Sequence, residues 1–65
     1  MTAEQVRRDT LNEVADWHDR QSRIFRETTD KLLRDRATYN DIARAHWAAS
    51  SHAAHAAHIR RMILK

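Results

Sequence analysis

The sequence predicts an all-α fold: a two-helix antiparallel hairpin that associates into a homo-oligomeric helical bundle. The 65 residues contain no Gly, Pro or Cys, so the usual builders of tight turns, hairpin loops and disulfides are absent. Apolar residues recur at the spacing of an amphipathic helix through most of the chain. Helix-start signals reappear only around residues 36–41, and a chain of this length has room for one domain, residues 1–65.

The first helix is predicted over about residues 3–36. Thr2 and Gln5 have the spacing of a capping box, in which each side chain bonds to the backbone N–H of the other residue. The charged arc places acids four residues before bases, as in Asp16–Arg20, which favours a water-facing helix surface. The opposite arc is expected to form the packed face, with Thr10, Gln21 and Thr28 inside it. It contains Val6, Leu11, Val14, Trp17, Ile24, Phe25, Leu32 and Leu33.

The turn is predicted at residues 36–41. Thr38 can cap a second helix, with Asp41 at the third helical position near the positive end of the helix dipole. One unbroken helix is the competing interpretation, because nothing in residues 36–38 prevents helix formation.

The second helix, predicted over about residues 39–63, carries two apolar stripes. Ile42, Ala45, Ala49, Ala53, Ala56 and Ile63 form the first; Tyr39, Ala43, Trp47, Ala54 and Ala57 form the second. A hairpin partner covers one stripe, so the other calls for a further helix, from a second copy or a different protein. The predicted interface residues are Trp17, Ile42, Ala45, His46, Trp47, Ala49, Ala53, Ala56 and Ile63.

The composition also favours association. Leu, Ile, Val and Phe together number eleven, no more than the Ala residues alone. A domain of this size buries only about 60% of its unfolded surface, and small domains without disulfides commonly depend on association. A dimeric four-helix bundle is the simplest closed form. Since neither a membrane-spanning stretch nor a signal peptide is recognisable, we expect a cytoplasmic protein.

Positive charge is concentrated in the second helix. Residues 1–41 carry nine acids and eight bases, whereas residues 42–65 carry four bases and no acid. The stretch Thr38–Ala45 resembles the first helix of a helix-turn-helix, although Trp47 and Ala48 replace the Gly and aliphatic residue expected next. A DNA- or RNA-binding regulator is therefore one alternative function, and an oligomer that captures a nucleotide is another. The candidate anion contacts are Arg44, His55, His58, Arg60, Arg61 and Lys65.

The histidines and serines of the second helix predict neither a metal site nor an enzyme. His52, His55 and His58 are spaced three residues apart, so their side chains diverge around the helix, and no acid lies nearby to complete a site. Ser50 lacks an elbow motif and a residue that would orient a base. We expect no cofactor. His46, set among alanines, is expected at an interface that weakens when its ring is protonated near pH 6.

These observations together predict a small non-enzymatic interaction protein. It would act as a regulator or inhibitor by presenting a helical surface to a protein partner. Its size and shape are similar to those of small plasmid- or phage-encoded hairpin regulators, and an origin of that kind is an expectation.

Overall fold

The computed structural model describes residues 1–64 and consists of two antiparallel helices. Helix α1 spans Ala3–Arg34 and helix α2 spans Tyr39–Leu64. The hairpin measures 51 × 17 × 12 Å, so it is one helix thick. The predicted two-helix hairpin is confirmed, and the alternative of one unbroken helix is wrong.

The start of α1 is fixed by the predicted capping box. The backbone N–H of Thr2 donates to Gln5 Oε1 at 2.9 Å, and the backbone N–H of Gln5 donates to Thr2 Oγ1 at 3.1 Å. Two N–H groups that have no partner within the helix are thereby satisfied.

The turn closes α1 two residues before the predicted end. Arg36 adopts a left-handed conformation with φ 55°, and its N–H donates to the carbonyl of Leu33 at 3.3 Å. The N–H of Ala37 donates to the carbonyl of Leu32 at 2.9 Å. This pattern is the Schellman ending, which usually places Gly at the left-handed position. Thr38 then caps α2 as predicted, its Oγ1 accepting from the Asp41 N–H at 3.3 Å.

The helices pack along a seam of small and polar residues. Ala15, Ser22, Ala49 and Ala56 are among its buried members, and no large side chain in residues 1–64 is fully buried. Ser22 Oγ donates across the seam to the Ala49 carbonyl at 2.9 Å, which requires closely spaced helix axes. None of the seam residues is exposed, and their spacing alternates between three and four. They are Leu11, Ala15, His18, Ser22, Phe25, Thr29 and Leu32 of α1, and Ile42, Ala45, Ala49, His52, Ala56, Ile59 and Ile63 of α2.

The packed face of α1 is rotated from the predicted arc. Leu11, Phe25 and Leu32 do reach the seam, but their neighbours in the arc remain 40–56% exposed. The alanines of α2 bring the helices close together at mid-length, where small or flat side chains fit between them, whereas Leu and Ile side chains occupy the seam toward its ends. The displaced residues are Val6, Val14, Trp17, Ile24 and Leu33.

Apolar residues therefore occupy separate faces of both helices and do not surround either one. Neither helix, over the residues described, contains an apolar stretch long enough to cross a lipid bilayer.

Candidate protein-interaction surface

One broad side of the hairpin is charged. The guanidinium of Arg60 lies 3.0 Å from Asp16 Oδ1 and 2.6 Å from Asp19 Oδ2. Its hydrogen bond to Asp19 lowers the pKa of that carboxyl group. Arg60, a candidate anion contact, is thus already bound to two carboxylates of its own chain.

A shallow groove continues this charged side toward the turn. Arg26, Asp30 and Leu33 of α1 line it together with His46 and Ala53 of α2. His46 is exposed there, so its imidazole is not packed within the hairpin. Its predicted role in an interface stays a prediction.

The other broad side of the hairpin is apolar. Val14, Trp17 and Ile24 lie along it on α1, with exposed fractions of 40%, 46% and 52%. Near the turn, Phe25 and Thr28 share a groove with Trp47 of α2, which Asp41 and Arg44 also line. This side therefore holds three of the large side chains that the seam leaves out, whereas Leu33 lies on the charged side.

An aromatic cluster joins the two helices at mid-length. Its closest contact is between His18 and His52, whose Nδ1 atoms are 2.8 Å apart. The ring of Trp17 meets both histidines edge-on, at centroid distances of 5.0 and 5.5 Å. Phe25 stacks on His52 at 5.7 Å, and His55 lies 5.3 Å from His18. The cluster thus fills the middle of the seam with flat rings.

This contact of His18 is not predicted from the sequence, because His18 lies 34 residues from His52 along the chain. Desolvation, followed by repulsion from charged His52 and His55, lowers the pKa of His18, and the neighbouring Asp19 only partly opposes this. The missed signal was the heptad register, because positions 18 and 52 both fall on the seam once the chain turns near residue 36.

The outer face of α2 points away from α1. Tyr39 and Trp47 are 82% and 71% exposed. Ala54 and Ala57 are also exposed, and Ala43 is half-buried. These five residues are the outer face. Helix α2 continues unbroken past Trp47, so the turn that a helix-turn-helix needs at that point is absent.

The remaining predicted residues divide between the seam and the surface. Ala45, Ala49 and Ala56 are buried in the seam, where Ile42 and Ile63 are half-buried, so α1 already covers these five. Among the anion candidates, Arg44, His55, His58 and Arg61 are exposed, and Lys65 lies outside the described residues. Within residues 1–64, no group of three or more His, Asp or Glu side chains is arranged to hold a metal ion.

Comparisons of the chain with protein-family models, with curated proteins and with solved structures give no match.

Proposed function

We propose that this protein is a small non-enzymatic interaction protein, a regulator or inhibitor that presents the outer face of α2 to a helix of a protein partner. The exposure of Trp47 at the centre of that face is the observation that carries the proposal. A helix face that only meets water is normally polar, whereas this one carries aromatic rings and alanines.

The chemistry around the outer face indicates what kind of helix would bind. Ala43, Ala54 and Ala57 permit close approach of a second helix, and Trp47 supplies the large anchor typical of binding hot spots. Arg44, His58 and Arg61 flank the face, and Asp41 is the only acid in α2. The partner segment is therefore an amphipathic helix with an apolar stripe and acidic flanks.

The positive charge of α2 also supports the alternative that the protein binds a nucleic acid. Two observations weigh against it. The guanidinium of Arg60 is held by Asp16 and Asp19, and α2 lacks the turn that would create a recognition helix. Binding to duplex DNA with a steep loss of affinity as salt rises would favour this alternative over a protein partner.

Site-specific crosslinking tests the proposal. A photoreactive amino acid is placed at Trp47 and, as a control, at exposed Asn12 on α1, in cells that produce the protein. We expect a protein adduct from position 47 that position 12 does not give. With that partner purified, Trp47→Ala should weaken binding by about tenfold or more, as at a hot spot. Asn12→Ala should leave the affinity unchanged.

Two results would count against a protein partner at the outer face. One is that no protein adduct other than a second copy of the chain forms from position 47. The other is that Trp47→Ala binds the purified partner as tightly as the wild-type chain does.

A further inference from the structure

A second heptad stripe lies beside the seam on α1. Each of its residues immediately precedes a seam residue, so the stripe faces the apolar side of the hairpin. A helix with two such stripes, offset by one residue, is typical of bundles in which each helix packs against two neighbours. In the hairpin α1 has a single helical neighbour. The flank stripe of α1 consists of Thr10, Val14, Trp17, Gln21, Ile24 and Thr28.

The matching positions on α2 carry small residues at mid-length. Ala48 and Ser51 precede the seam residues Ala49 and His52, and Ala48 lines the groove on the apolar side. Near the turn, a groove of about 530 Å³ runs between Thr28 of α1 and Ala48 of α2. The large side chains of the α1 flank stripe can therefore meet a short surface of small residues on α2 of another copy, bounded by Arg44 and His55.

The hairpin exposes more surface than a folded monomer of its mass, and the surplus is close to the area that a dimer interface covers. The hairpin exposes 5287 Å², against about 4,300 Å² for a folded monomer of 7.7 kDa. The surplus of roughly 1,000 Å² is close to the ~800 Å² that each partner buries in a standard interface. One further hairpin is thus enough to bring the exposed area to an ordinary value.

We infer that the apolar side is the interface with a second copy of this chain. Two hairpins pack face to face, so that the α1 flank stripe of each lies against the small residues of α2 in the other. The product is a four-helix bundle with two-fold symmetry and a core that contains Val14, Trp17 and Ile24. This interface goes beyond the proposed function, because it joins two copies of the chain through α1, whereas the proposed partner binds the outer face of α2. The two surfaces meet at Trp47, which also lines the groove near the turn.

Matched charge substitutions on the two sides of α1 test the inference. Ile24 on the apolar side and Leu33 on the charged side are exposed to similar extents, 52% and 56%. Sedimentation equilibrium should give twice 7.7 kDa for the wild-type chain and for Leu33→Glu. Ile24→Glu should sediment as the single chain, because its carboxylate would be buried in the dimer without a partner.

Circular dichroism shows whether Ile24→Glu still folds. If its helical signal is lost, the inference requires that folding and association are coupled. The thermal midpoint of the wild-type chain must then rise with protein concentration. Midpoints that stay constant would overturn the inference. It would also be overturned by a monomeric wild-type chain, or by dissociation of Leu33→Glu with Ile24→Glu intact. If Trp47→Ala dissociates the dimer and Ile24→Glu does not, the outer face holds the second copy, which overturns both this inference and the proposed free face.

Discussion

At the scale of single residues, the His18–His52 contact makes the hairpin sensitive to pH. The 2.8 Å contact joins two Nδ1 atoms, so one ring must donate and the other must accept. Two protonated rings have no acceptor and repel each other. The ring of His55 lies beside His18 and adds to that repulsion when it is charged. The seam therefore favours at least one neutral histidine.

The sign of the pH dependence follows from the lowered pKa of His18. The folded hairpin binds fewer protons than the unfolded chain once the pH drops below the ordinary value of 6.5. The stabilisation by neutral His18 is complete above that pH and is lost as pH falls through the folded-state pKa. We expect the thermal midpoint, followed by circular dichroism, to fall between about pH 8 and about pH 5.

Two histidine variants identify the group responsible. His18→Leu keeps an apolar side chain in the seam and should remove most of the pH dependence. His46→Ala alters an exposed histidine on the charged side and should retain it. If the pH dependence survives in His18→Leu and disappears in His46→Ala, the titrating group is His46 and the predicted role of His18 is wrong.

The backbone conformation of Arg36 lowers the free energy of unfolding. Its φ of 55° is one that glycine adopts freely and that a side chain with a Cβ disfavours. We expect Arg36→Gly to raise the free energy of unfolding by about 0.5–1 kcal/mol, measured by urea denaturation. Arg34→Gly, two residues earlier and still within α1, should lower it by about 1 kcal/mol. Equal losses in both variants would contradict the Schellman ending.

At the scale of the helices, small seam residues set the distance between α1 and α2. Ser22 is 3% exposed and reaches the Ala49 carbonyl, so a larger side chain there has no space. Ser22→Leu should lower the free energy of unfolding by about 1–3 kcal/mol through overpacking. Ser22→Ala should lower it by about 1 kcal/mol or less, because it removes one hydrogen bond and keeps the volume small.

Ser50→Leu is the matched control for this prediction, since Ser50 is exposed on the charged side. Its effect should stay within about 0.5 kcal/mol. If Ser22→Leu were as stable as Ser50→Leu in thermal and urea denaturation, the helices would not be closely packed at that point.

Local signals in the sequence predicted the elements well. Caps at Thr2 and Thr38 depend on residues within one turn, and both form as expected. The face of α1 was predicted less well, because hydrophobicity alone placed Trp17 and Ile24 inside. The close approach of α2 is a property of the pair of helices, and it selects residues by size. The His18–His52 contact was missed for a related reason, since it depends on the register between the helices.

At the scale of the whole molecule, the hairpin is too thin to bury its own large side chains. Its 12 Å thickness leaves one broad side charged, the other apolar, and the outer face of α2 exposed with Trp47 at its centre. The apolar side centres on α1 and the outer face on α2, and the two meet at Trp47, which also lines the groove near the turn. A second copy on the former and an acidic amphipathic helix on the latter would therefore be neighbours at Trp47.

The central claim is that another helix completes this hairpin. Its most direct test is the thermal midpoint of the wild-type chain, followed by circular dichroism over an about hundredfold range of protein concentration. We predict that the midpoint rises steadily with concentration, because association stabilises the folded chain by mass action. A midpoint independent of concentration, together with a mass of 7.7 kDa throughout, would contradict it.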